Sequence, residues 1–224
     1  MISVGIPRTP DQLRHKALTP QTQPVAAIDT RFCELQLVTL QEKPHFFNVD
    51  SSFQEVYTGA TRFEVKRNLF SSRQTLLDAN GTPIVNYKGH TLSSKPISYV
   101  HRGTEHNGAK LLQIYADYDS RENTEVQVEF HDLLTGQKCE LGFVGHWRRR
   151  DAVIWLDKGC DGNQEPVAKI YCPDGVSRQK YHLDIAANVD TALITMICTV
   201  LAQKQSIQEH ATTAVAPVTC FIGG

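Results

Sequence analysis

The chain has 224 residues, a formal net charge of −1 and a pI near 6.7, and 41% of its residues are hydrophobic. This length suits one large or two small globular domains, and β barrels of this size commonly form one domain. The near-neutral charge excludes a global positive field, so we expect no nucleic-acid binding and only local anion sites. The six cysteines form no C-x-x-C pair, which is typical of reduced thiols in a cytoplasmic protein.

The first 24 residues contain four prolines and lack the apolar core of a signal peptide. Because proline interrupts helices and strands, we predict a flexible arm over residues 1–24, poorly ordered or draped over the surface, that is neither a signal peptide nor a membrane anchor. Residues 210–224 have a similar composition and are predicted to form a flexible C-terminal tail.

Between these two arms, hydrophobic residues recur with the period of two that is typical of half-buried strands. In residues 125–131, for example, Val126, Val128 and Phe130 share one face and polar residues occupy the other. Comparable stretches are 32–40, 62–68, 75–79, 83–88, 97–102, 110–118, 138–147, 152–157, 167–172 and 180–186. Asn80 and Gly81 predict a type I′ hairpin turn between two of them. No long linker divides these strands, so we predict one domain over residues 25–209.

One helix follows the strands and is apolar on nearly every side. Over residues 189–202, ten of fourteen residues are hydrophobic, and Thr191, Thr195 and Thr199 form one thin polar stripe. A helix of this kind must be enclosed, and at about 1.5 Å per residue it is too short to span a bilayer. In a chain of strands, the available enclosure is a closed sheet. Asn188 or Asp190 is predicted to cap the first turn of this helix.

Five short motifs resemble, in their order and spacing, those of the LURP-one-related family. They are FEVK at 63–66, LLDANGTPI at 76–84, FVGHW at 143–147, VAKI at 167–170 and YHLDIAANVDTALI at 181–194. The resemblance covers roughly residues 57–204. It implies the fold of the tubby C-terminal domain and the phospholipid scramblases, which is mainly β: a closed antiparallel barrel of about twelve strands around a central hydrophobic C-terminal helix. That helix is expected at about residues 188–206, and the pattern of strands and helix predicts the same fold independently.

The resemblance also implies a binding function. Tubby-like domains bind phosphoinositide head groups through basic side chains on the barrel surface, and some LURP-one-related proteins are associated with plant defence. This chain lacks the cysteine-rich stretch and membrane-anchoring end of scramblases, so we do not expect it to scramble lipids. It also has no clean match to the lysine and arginine pair of tubby, so any head-group site must use other residues.

Two basic clusters are the candidate site for an anionic head group, one around a predicted hairpin near residue 70 and one near residue 149. The predicted ligand contacts are Lys66, Arg67, Arg73, Trp147, Arg148, Arg149 and Arg150, with Arg62 close to the first cluster. Guanidinium groups match phosphate oxygens, and a tryptophan settles readily at a membrane interface. The same runs also fit solvated strand faces, with Glu64 and Asp151 neutralising part of the charge.

No established catalytic or metal-binding motif occurs in the sequence, so no catalytic residue, metal ion or cofactor is predicted. We predict a non-enzymatic, cytoplasmic binding or adaptor protein, peripheral at membranes, with anionic phospholipid head groups as the leading ligand. The alternative is a protein-interaction scaffold with no lipid ligand, whose terminal arms carry the specificity. A third alternative is an enzyme with an unrecognised site.

Overall fold

Twelve antiparallel strands form a closed barrel, and one long helix follows them. The computed structural model describes residues 10–44, 50–68, 73–88, 97–104, 110–118, 124–174 and 180–214. Each strand pairs with its neighbours in sequence, and β1 pairs with both β2 and β12, which closes the sheet. The prediction of a mainly β, closed barrel with a C-terminal helix is therefore confirmed.

The elements have the following bounds. The strands are β1 (Val38–Pro44), β2 (Ser51–Glu55), β3 (Thr61–Asn68), β4 (Arg73–Asp78), β5 (Pro83–Lys88), β6 (Ile97–Arg102), β7 (Lys110–Tyr118), β8 (Thr124–His131), β9 (Lys138–His146), β10 (Asp151–Lys158), β11 (Gln164–Tyr171) and β12 (His182–Ile185). The α-helices are α1 (Pro10–Arg14) and α2 (Thr191–Ala214), and a 3-10 helix spans Thr30–Phe32.

Three local predictions differ from the structure. β2 was not predicted, because Phe53 is its one hydrophobic residue and no alternation marks the segment. The first predicted strand is placed too early, since the chain forms a 3-10 helix and an irregular segment before β1 begins at Val38. The type I′ turn is wrong, because Gly81 has a positive φ (78°) and Asn80 does not. Asp78 N donates to Thr82 O at 2.9 Å instead, which closes a three-residue turn of the kind that needs one left-handed residue.

The first half of α2 fills the inside of the barrel. Its apolar side chains are at most 1% exposed: Leu193, Ile194, Met196, Ile197, Val200 and Leu201. They share one hydrophobic core with inward strand residues such as Leu40, Phe53 and Ile170, which are completely buried. Burying each large side chain contributes about 1.5–3 kcal/mol, so the barrel depends on this helix for its core. Thr199 Oγ1 donates to Met196 O, one turn earlier in the helix (2.8 Å), which satisfies this hydroxyl inside the core.

Asp190 caps α2 and also holds the N-terminal segment against the barrel. Its Oδ1 accepts from Leu193 N (3.1 Å), and its Oδ2 accepts from the backbone N–H groups of Ala27 (3.3 Å), Ile28 (2.8 Å) and Asp29 (3.3 Å). Burial raises the pKa of Asp190 to about 6 against the opposing effect of these hydrogen bonds. Asp190 is therefore the cap, whereas Asn188 donates its side-chain amide to Gln21 O (2.7 Å).

Residues 13–28 pack on the barrel. Leu13 and Ile28 are buried. Backbone hydrogen bonds join Thr19 N to Pro166 O (2.7 Å) and Gln21 N to Ala187 O (3.0 Å). Apolar burial and these hydrogen bonds hold the segment on the barrel. Its prolines only prevent regular secondary structure. Residues 1–9 of the predicted arm lie outside the described residues. At the other terminus, α2 continues to Ala214, so the predicted tail is helical over 210–214, and its remainder, 215–224, lies outside the described residues.

Gly142 on β9 has no space for a side chain, because Trp155 lies against it on β10. A Cβ atom on Gly142 would come within 2.0 Å of Trp155 Cζ2. We expect Gly142→Ala to lower the free energy of unfolding by about 1–3 kcal/mol, since the indole must move. Urea denaturation measures this loss. In a Trp155→Ala background the same substitution should cost almost nothing, and equal losses in both backgrounds would contradict the steric explanation.

Candidate functional site

The connections of an antiparallel meander alternate between the two ends of the barrel. We call the end where α2 begins the proximal end. The opposite end, the distal end, carries the connections β1–β2, β3–β4, β5–β6, β7–β8, β9–β10 and β11–β12. Both predicted basic clusters belong to distal connections, namely β3–β4 and β9–β10. In the strand order these two hairpins are half a circumference apart, so they face each other across the distal end.

Exposed cations project from several strands at the distal end. Lys66 lies near the distal end of β3 and Arg149 lies in the β9–β10 connection, and both were predicted ligand contacts. Three further exposed lysines had not been predicted: Lys43 on β1, Lys88 on β5 and Lys180 just before β12. The order of the strands could have revealed them. In a meander, every connection from an odd-numbered strand to the next strand lies at the same end of the barrel, so cations beside those connections project from that end. We call Lys43, Lys66, Lys88, Arg149 and Lys180 the distal basic rim.

The predicted contacts Arg73 and Arg148 lie at the edge of this rim, and both are half-buried. The Arg73 guanidinium donates to the side-chain oxygen of Asn86. Arg73 is also the register partner of Lys88, so it lies beside an exposed rim lysine. The acidic residues Asp117 and Glu125 are register partners on the two strands of the β7–β8 hairpin. The described positive charge of the distal end is therefore concentrated away from that hairpin, on the β1–β5 and β9–β12 sides.

Arg67 points into the barrel, because it follows Phe63 and Val65 at the inward spacing of β3. In the amide orientation that satisfies its neighbours, buried Gln74 accepts from Arg67 Nε (2.9 Å) and donates to the Tyr87 hydroxyl (2.9 Å). That hydroxyl donates to Thr199 O on α2 (3.0 Å). Arg67 therefore belongs to a polar connection between the barrel wall and the central helix.

Trp147 is completely buried, so the interfacial role predicted for it does not fit the structure. Its ring packs edge-on against Tyr181, with centroids 5.5 Å apart. The Arg150 guanidinium lies over both rings, 4.1 Å from the Trp147 centroid and 4.7 Å from the Tyr181 centroid. Arg150 also has an unusual φ of 53°, a strained conformation for arginine that these contacts stabilise. Trp147 and Tyr181 thus hold Arg150 in place.

Arg67 and Arg150 share one carboxylate neighbour, Glu42, which follows Val38 and Leu40 at the inward spacing of β1. Burial raises the pKa of Glu42, and the positive charges of Arg150 and Arg67 act in the opposite direction. A carboxylate removed from water requires such compensation. One arginine of each basic cluster therefore contributes positive charge at Glu42, while the exposed members of the clusters remain spread around the rim.

Comparison with known protein families finds a match over the barrel and the first half of α2. A sequence profile described as LURP-one-related matches residues 37–202. The chain belongs to the LURP-one-related family. An X-ray structure of a protein from Arabidopsis thaliana is similar with a TM-score of 0.56 and 18% identity, over 81% of this chain and 98% of that chain. At this identity the similarity shows the fold alone. No curated protein matches the chain significantly.

The described residues of this LURP-one-related chain include no helix with the length and apolar character needed to cross a membrane. α2 is 24 residues long, but its second half carries polar residues such as Lys204 and Glu209. Burial lowers the pKa of Lys204, and nearby Asp117 acts in the opposite direction. The helix thus changes character along its length, from a buried core element to a polar segment next to the acidic β7–β8 hairpin.

Proposed function

We propose that this LURP-one-related chain is a non-enzymatic protein that binds anionic phospholipid head groups with the distal basic rim. The observation that carries the proposal is the projection of five exposed cations, from separate parts of the barrel, at one end. The family and its fold support a binding role. Because α2 occupies the inside of the barrel, a ligand must bind on the outer surface.

A membrane surface suits the arrangement of the rim better than a single small anion does. Lys66 and Arg149 lie on opposite sides of the distal end, and one plane of head groups can contact both. Each exposed basic residue near an anionic membrane contributes about 1 kcal/mol. Arg73 and Arg148 complete the edge, whereas Arg67, Trp147 and Arg150 position the hairpins without contacting lipid. A protein acting in this way is cytoplasmic and peripheral at membranes.

Neutralising three rim residues should weaken membrane binding about 100-fold, since each contributes about 1 kcal/mol. The variant combines Lys43→Ala, Lys66→Ala and Arg149→Ala, all at exposed positions. Vesicle flotation at low salt measures binding to phosphatidylcholine with and without phosphatidylinositol bisphosphate. Higher salt should weaken binding of the wild type, because exposed charges are screened.

A matched control removes the same charge away from the distal end through Lys110→Ala, Lys138→Ala and Lys158→Ala, at the proximal ends of β7, β9 and β10. It should bind vesicles like the wild type. Vesicles carrying phosphatidylserine at equal charge density separate phosphoinositide recognition from general anion binding. Failure of the wild type to float with either anionic vesicle, or equal weakening of both triple variants, would contradict the proposal.

A further inference from the structure

A cavity of about 250 Å³ opens in the barrel wall near the proximal end, between β7 and β8. The last register pair of these two strands towards the proximal end is Gln113 with Glu129. Beyond that pair, β7 extends to Lys110 and β8 extends to His131 without pairing with each other. The two strands therefore separate at this end, and we call the opening between them the β7–β8 cleft.

A β-bulge in β7 accounts for the separation of the strands. On its other side β7 pairs with β6, and the register shifts there: Val100 is the partner of Leu112, whereas His101 is the partner of Lys110. Leu111 is thus the extra residue on β7. A bulge bends its strand and increases the local twist, so this end of β7 does not follow β8. Bulges are common at the rims of barrels and next to active sites.

The floor of the cleft is apolar. Leu112 (5% exposed) and Phe130 (6% exposed) line it. Further along the same strands, where Ile114 and Val128 are register partners, both side chains are completely buried. The wall therefore covers its inward side chains where the strands pair and leaves an apolar surface accessible where they separate.

The rim of the cleft carries more positive than negative charge. Its polar side chains are Lys110, Gln113, Glu129, His131 and Lys138. Lys138 pairs with Glu129 (3.1 Å), which leaves the charge of Lys110 in excess. The Lys110 ammonium lies over the Tyr99 ring, 3.6 Å from its centroid, and pairs with no carboxylate in the described part of the chain. Glu140, the register partner of Glu129 on β9, does not line the cleft.

We propose that the β7–β8 cleft binds a small carboxylic acid with an apolar body. The body rests on Leu112 and Phe130, and the carboxylate pairs with Lys110. Because one cation is in excess, a singly charged anion matches the rim better than a neutral molecule or a doubly charged one. The volume fits a ligand below drug size, since sites for drug-sized molecules measure about 300–1,000 Å³. The cleft shares no residue with the distal basic rim.

Titration of the full-length protein with phenylacetate and with octanoate, followed by the amide signals in NMR spectra, tests this inference. We expect saturable shifts at residues 110–113 and 129–131 with one or both acids. The matching amides, phenylacetamide and octanamide, should bind about fivefold more weakly, because they lack the charge that pairs with Lys110. Acetate, which lacks the apolar body, should cause no saturable shift.

Two variants assign the binding to this cleft. Lys110→Gln should weaken binding of the acid about fivefold and leave binding of the amide unchanged, since only the acid loses an ion pair. Gln113→Trp should block acid and amide alike, because the indole fills the cleft. Both positions are exposed, so folding should be preserved, and thermal melting checks this. The matched control is Lys169→Gln, which removes the same charge from an exposed position on β11 and should bind like the wild type.

The inference would be overturned by the absence of a saturable shift with either acid, by equal binding of acid and amide, or by equal effects of Lys110→Gln and Lys169→Gln. Shifts confined to the distal end would also overturn it, because the acid would then bind the distal basic rim. The triple variant Lys43→Ala, Lys66→Ala and Arg149→Ala should bind the acids like the wild type. Failure of vesicle flotation leaves this result unaffected, so the two proposals are tested separately.

Discussion

Replacing Asp190 with alanine should lower the free energy of unfolding by about 3–5 kcal/mol, one of the largest effects expected for a single polar residue in this chain. The carboxylate is completely buried and accepts four backbone N–H groups, from Ala27, Ile28, Asp29 and Leu193. Alanine would leave these donors buried without an acceptor, and each such group costs about 1–3 kcal/mol. Urea denaturation at neutral pH measures the loss.

The same substitution should also release the N-terminal segment, because Asp190 joins residues 27–29 to the start of α2. Limited proteolysis should therefore cut the variant near residues 13–29 faster than the wild type. Asp174→Ala, which changes an exposed aspartate, is the control and should alter neither stability nor cleavage. A loss below about 1 kcal/mol for Asp190→Ala would contradict the role of this carboxylate as a joint cap.

Replacing Ile197 with aspartate should abolish folding. Ile197 is completely buried in the middle of the part of α2 that fills the barrel, and a new carboxylate would lie among apolar neighbours there. We expect little soluble protein. The milder variant Ile197→Ala should still fold and should lose about 2–5 kcal/mol, which urea denaturation can measure.

Ile207→Asp is the matched control for this prediction. It makes the same chemical change on the same helix, at a half-buried position beyond the core. Its loss of stability should be much smaller than that of Ile197→Ala. Normal yield and normal melting of Ile197→Asp would show that α2 is not the core of the barrel, and the interpretation of the whole fold would fail.

These two residues show why the inside of the barrel is closed to ligands. Asp190 fixes where α2 begins, and the apolar residues around Ile197 fill the space between the strands. Barrels that carry ligands inside keep that space empty. In this chain, binding must use the ends and the outer wall, which carry the distal basic rim.

Much of the fold was predictable because its signals are local. The alternation in β8 marks a half-buried strand, and the continuous apolar surface of α2 requires enclosure. β2 was missed because its single phenylalanine carries no periodicity, and it forms a strand since it pairs with both β1 and β3. The contacts of residues 13–28 could not be predicted, because they depend on distant partners such as Pro166 and Ala187.

The candidate site also combines features that local sequence predicts with features that depend on contacts between distant residues. From sequence, Lys66 and Arg67 are equivalent neighbours in a basic run, yet one is exposed and the other reaches Gln74 inside the barrel. The alternation of a strand separates neighbouring residues to opposite faces, but which face is inside depends on how the sheet closes. Arg150 is drawn inward in the same way, by the left-handed turn that places it over Trp147.

By itself, the sequence determined that this chain forms strands, that they must enclose one apolar helix, and that basic residues accompany two hairpins, because periodicity and composition are properties of neighbouring residues. The tertiary structure alone decided which of those basic residues are exposed and that four carboxylates meet Arg31 and Arg62 at the proximal end. Asp29, Glu34, Glu55 and Asp78 come from separate segments of the chain. Only the packing of the segment before β1 against the ends of β2, β3 and β4 brings them together, since long-range contacts set the distances between residues that are far apart in sequence.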